Sequence, residues 1–109
     1  MDEILSASRR LGRLISKSEI YLDYSAALER IKEAPELLAE IAEFKRIHIE
    51  YSRDGISFDQ EKHLSKLFFD LNANPKAAQF LEAEKKMLAL VLGIYENLWA
   101  ECEFQVTSF

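Results

Sequence analysis

The chain has few residues that would let it turn often or cross-link itself. Cys102 is the only cysteine among 109 residues, so no internal disulfide forms. Three glycines and two prolines leave few places to reverse direction, which favours long helices over many short strands. Long apolar runs are missing too. The longest, residues 87–95, falls far short of the ~20 residues a membrane span needs. The start, Met1-Asp2-Glu3, lacks the basic-then-apolar plan of a secretory leader. These features set the expectation of a cytoplasmic protein without a membrane partner.

Catalytic signatures are also missing. There is no Gly-rich phosphate loop, Walker motif or Gly-x-Ser-x-Gly elbow. His48 and His63 stand in neither a His-x-x-x-His nor a His-Glu-x-x-His pattern, and metal sites want several ligands at defined spacing. The expectation is therefore no enzyme, no cofactor and no metal. A formal net charge of -5 argues against a general nucleic-acid binder, which needs a positive field. One cationic cluster stands apart: Arg9, Arg10, Arg13 and Lys17, with Asp2 and Glu3 the only acids in the helix that carries it. Its bland reading is a solvated helix face; the alternative is a surface for an acidic partner or RNA.

What is present is apolar material at helical spacing, in one domain spanning 1–109. Apolar residues make up 49% of the chain, enough for a core. A first helix is predicted over about 2–15, with Ile4, Leu11, Leu14 and Ile15 on one face. Ser18 is placed to cap a second, over about 19–33, whose face carries Tyr21, Tyr24, Ala27, Leu28 and Ile31. Pro35 starts a third, running to about 53, where Asp54-Gly55 stops it. Its stripe is Leu37, Leu38, Ile41, Phe44, His48 and Tyr51, which makes His48 half-buried. Ser57 with Gln60 has capping-box spacing and opens a fourth, to about 72, lined by Leu64, Leu67, Phe68 and Leu71.

Asn74-Pro75 then starts the longest helix, to about 103. Its stripe reads Ala77, Leu81, Glu84, Leu88, Val91, Tyr95, Leu98 and Cys102, alternating four and three as in a heptad seam. Phe80, Met87, Ile94 and Trp99 form a second row. Roughly 29 residues span about 43 Å, against a radius of gyration of ~13 Å for a compact domain of this size. Part of so long an apolar face stays exposed unless another chain covers it. The fold expected is all-α: about five helices, long antiparallel ones packed as a bundle, dimerising through the long helices. The candidate partner-binding residues are Leu88, Val91, Tyr95, Leu98 and Trp99, together with Arg9, Arg10 and Arg13.

Within that seam Glu84 is the only charge, at a stripe edge or as a register-setting residue. Cys102 reads as a small buried apolar residue. Gly93 costs the helix about 1 kcal/mol relative to Ala and offers a close helix approach. The segment 104–109, with Phe104, Val106 and Phe109, either frays or packs on a partner.

Three stretches carry a family resemblance. ASRRLGRLISKSEIY from Ala7 to Tyr21, APELLAEIAEF from Ala34 to Phe44 and NPKAAQFLEAEKKMLALVLGIYENL from Asn74 to Leu98 resemble the YlbF/YmcA family of small helical bacterial proteins. The resemblance covers nearly the whole chain and implies a dimeric all-α fold and a non-enzymatic regulatory role. Better-studied members are implicated in competence, sporulation and biofilm control, in a complex that binds iron–sulfur clusters and adjusts the endonuclease RNase Y. Partners it implies are other family members or an RNA-processing enzyme. Those members carry cysteine-bearing C-terminal tails; here Cys102 stands alone, so cluster binding does not transfer, and the chain looks like the short, tail-less type. The leading expectation is a cytoplasmic regulatory adaptor acting by protein–protein contact; the alternative is a structural self-associating homodimer with no adaptor role.

Overall fold

In the computed structural model, residues 1–102 are described, and they form five helices: α1 (Asp2–Ser16), α2 (Glu19–Lys32), α3 (Pro35–Ser52), α4 (Phe58–Asn72) and α5 (Pro75–Glu101). No strand occurs among the described residues. The all-α expectation holds.

Local chemistry sets the boundaries. The Ser18 hydroxyl accepts from the Tyr21 amide at 3.2 Å and starts α2. Pro35 occupies the first turn of α3, where its missing N–H costs nothing. Beyond α3, Gly55 takes φ 85, a conformation that penalises any Cβ. Ser57 and Gln60 close a full capping box over α4: Gln60 N–H donates to Ser57 Oγ at 3.1 Å, and Ser57 N–H donates to Gln60 Oε1 at 3.0 Å. Asn74 Oδ1 accepts from the Lys76 amide at 2.9 Å and opens α5.

The chain divides into two compact units, and the division falls within α2 and α5. The unit Ser25–Glu82 holds most of the core. Ile31 is 0% exposed, and around it in this unit Ala27, Ala34, Leu37, Ile41, Leu64, Leu71, Ala77 and Phe80 are buried. The α3–α4 hairpin is antiparallel, since ring pairs join Phe44 to Phe68 at 5.8 Å and, one step nearer the turn, Tyr51 to His63 at 5.8 Å. Polar contacts tie α2 to the start of α5: Arg30 donates to Gln79 at 2.7 Å, and Glu33 pairs with Lys76 at 3.9 Å. Lys45 lies 5.9 Å from the centre of the Phe80 ring, a cation–π contact between α3 and α5.

The other unit joins Met1–Tyr24 with the described residues from Ala83 onward. It buries far less. α1 has no buried residue, and Ala83, 9% exposed, is the only buried side chain described in the unit. Leu11 and Ile15 of α1 and Met87, Leu90, Ile94 and Trp99 of α5 are half-buried.

Several single expectations need correction. His48 is exposed; its ring runs parallel to that of Phe44 one turn earlier (ring centres 6.3 Å apart, planes at 9°), along the surface of α3 rather than into the core. Phe68 is 47% exposed, since it leans on Phe44 at the hairpin surface rather than entering the core. Cys102 is exposed: α5 ends at Glu101, so the cysteine sits past the last helical residue. Residues 104–109, with Phe104, Val106 and Phe109, lie outside the described residues.

Candidate interaction surfaces

α5 carries two apolar rows, and they have different fates. Phe80 is buried and Met87, Ile94 and Trp99 are half-buried, so the second row is the one the chain covers itself. The heptad row departs from the core after Glu84, which is half-buried. Beyond it Leu88 is 56% exposed, Val91 47%, Tyr95 40% and Leu98 54%. Leu92 joins them at 60%. It was missed in the sequence pattern because it belongs to neither row, although its place four residues after Leu88 puts it on the same side of the helix. Ten residues separate Leu88 from Leu98, so the stripe is about 15 Å long. Trp99 stands at its edge, half-buried, with its ring edge-on to Tyr95 at 5.5 Å between centres.

α1 presents a second surface. At 3.6 residues per turn, Arg9, Arg10, Arg13 and Lys17 fall within a sector of about 100°. All four are exposed. Apolar side chains flank that sector, with Leu14 at 68% and Leu5 at 48% exposure, and Ile4 at 72% lies on the opposite face. Asp2 and Glu3 are confined to the first turn, where they suit the positive end of the helix dipole. These residues belong to the same compact unit as the α5 stripe.

The polar candidates are placed separately. Tyr51 hydroxyl and His63 Nδ1 lie 2.7 Å apart on the α3–α4 hairpin, and both are off the α5 stripe. Among the described residues no group of three or more His, Cys, Asp or Glu is placed to hold a metal ion. On α3, Arg46 bridges Glu43 and Glu50, with both closest approaches at 2.6 Å. Hydrogen bonding by that guanidinium holds the Glu43 carboxyl below its ordinary range and raises the Arg46 value in turn. A Cβ on Gly93 would meet nothing within 4 Å, so among the described residues none exploits that glycine for close approach. No helix among the described residues is long and apolar enough to cross a membrane.

A family model described as control of competence regulator ComK, YlbF/YmcA, matches residues 4–99. No curated protein and no solved structure matches the chain significantly.

Proposed function

The chain belongs to the YlbF/YmcA family, and from that premise we propose that it is a non-enzymatic regulatory adaptor of the cytoplasm. It pairs with a second copy through α5 and works by protein–protein contact in competence control or in an RNA-processing complex. The observation that carries this reading is the exposed stripe Leu88, Val91, Leu92, Tyr95 and Leu98. Contiguous apolar surface of that kind marks an interface, because leaving it in water gains the folded chain nothing. Regulation by contact needs such a surface and no reacting group. The basic face of Arg9, Arg10 and Arg13 supplies a second, charge-selective contact.

The test is genetic and biochemical together. The gene is deleted in its host, and the strain is complemented with the wild type or with L88S/L98S. Competence and transcript processing are then compared. Loss on deletion, rescue by wild type and no rescue by the folded double variant are expected. A deletion without effect on either readout sinks the adaptor reading and leaves a self-associating structural homodimer.

A further inference from the structure

We propose that the cleft between α3 and α4 receives α1 of a second copy of this chain. The ridge Arg10, Arg13, Leu14 and Lys17 seats against Glu40, Glu43 and Asp70. This contact is separate from the α5 stripe and does not depend on it.

The cleft measures about 360 Å³. Its floor is apolar, made by Phe44 and Ile47 from α3 and Leu67 and Leu71 from α4. Its rim is acidic on both walls, with Glu40 and Glu43 on α3 and Asp70 on α4. Residues 40, 43, 44 and 47 share one helix side, as do 67, 70 and 71, so two parallel ridges bound a trough. From Glu40 to Ile47 the trough runs about 10 Å. Arg46 already shares Glu43. Among the described residues Glu40 and Asp70 make no ion pair.

An apolar trough with unpaired carboxylates on both lips fits a side chain that is apolar along its length and cationic at its end, or a leucine flanked by such side chains. α1 offers that arrangement. Leu14 is 68% exposed, with Arg10 one turn before it, Lys17 one turn after it and Arg13 beside it. None of these three cations forms an ion pair among the described residues. The long alkyl stems of Arg and Lys cover apolar floor while their charges reach the rim. Two copies of net charge -5 repel at long range, and patches of opposite sign that meet across the contact oppose that repulsion. α1 and the cleft are such patches.

Charge reversal of each side tests the contact in the full chain. R10E/R13E keeps the acidic cleft, and E40K/D70K keeps the basic helix. Sedimentation equilibrium at low salt is expected to show each variant alone pairing at least about tenfold more weakly than wild type. Mixed in equal amounts, the acidic α1 of one variant faces the basic cleft of the other, and the basic α1 faces the acidic cleft. The mixture is therefore expected to recover wild-type affinity within about threefold, a result that only contacts between copies produce. R10Q/R13Q and E40Q/D70Q, checked for helix content by circular dichroism, should weaken pairing in the same order by less. A wild type that stays monomeric, variants that pair as wild type does, or a mixture no stronger than its components would each overturn the proposal. The α5 stripe is common to every species, so its removal by L88S/L98S shifts all affinities together and leaves the comparison intact.

Discussion

Consider serine in place of both Leu88 and Leu98. Leu88 is 56% exposed and Leu98 54%, so a little over half of each side chain remains to be covered. Complete burial of a leucine side chain contributes about 2 kcal/mol, so covering the remainder contributes about 1 kcal/mol per residue. In a two-fold pair each residue is counted twice, which brings the loss on substitution to about 4 kcal/mol, or roughly a thousandfold in dissociation constant. The single chain loses less, at most about 2 kcal/mol, because only the covered part of each side chain counts toward folding. Sedimentation equilibrium over a concentration series measures the first quantity. Circular dichroism melts at the lowest concentrations measure the second. The wild type should also melt at higher temperature as its concentration rises, and the double variant should show that dependence only at higher concentrations. An unchanged dissociation constant, or a wild type monomeric at every concentration, refutes the assignment of α5 as the pairing surface.

Ile31→Ala removes three carbons from a side chain that is 0% exposed. It should lower unfolding free energy by about 3–4 kcal/mol in denaturant titration, whatever the concentration, since the loss lies in the Ser25–Glu82 core. Gly93→Ala meets open space and should raise the stability of the single chain by about 1 kcal/mol, read as a higher melting temperature of the dilute protein. If the same variant weakens pairing in sedimentation, a partner helix uses that glycine.

Some of the fold could be read from the chain because its signals are local. Ser57 and Gln60 close their box with atoms three residues apart, and Asn74 caps a helix whose first residue is Pro75, so no distant contact enters either inference. Hydrophobic spacing likewise names Ala27, Ile31, Leu37, Ile41, Leu64 and Leu71 as core. The misses fall where a neighbour decides. His48 has the right spacing on α3 for burial but runs parallel to Phe44 at the surface. The acidic cleft needs Glu40 and Asp70 on facing walls, 30 residues apart in sequence, and no periodicity within α3 or α4 reports which walls will face.

The same distinction gives α5 its meaning. Periodicity within one helix defines a face only relative to that helix, and α5 has two apolar faces. The core takes Ala77, Phe80 and Ala83, each three residues after the last, so the buried line rotates away from the heptad line as the helix advances. By Leu88 the two lines are far enough apart that covering one leaves the other in water. A helix meant only to complete its own chain needs one of these rows. The row from Leu88 to Leu98, 40 to 60% exposed, keeps about half of its apolar surface in water, and that half gains free energy only when another surface meets it.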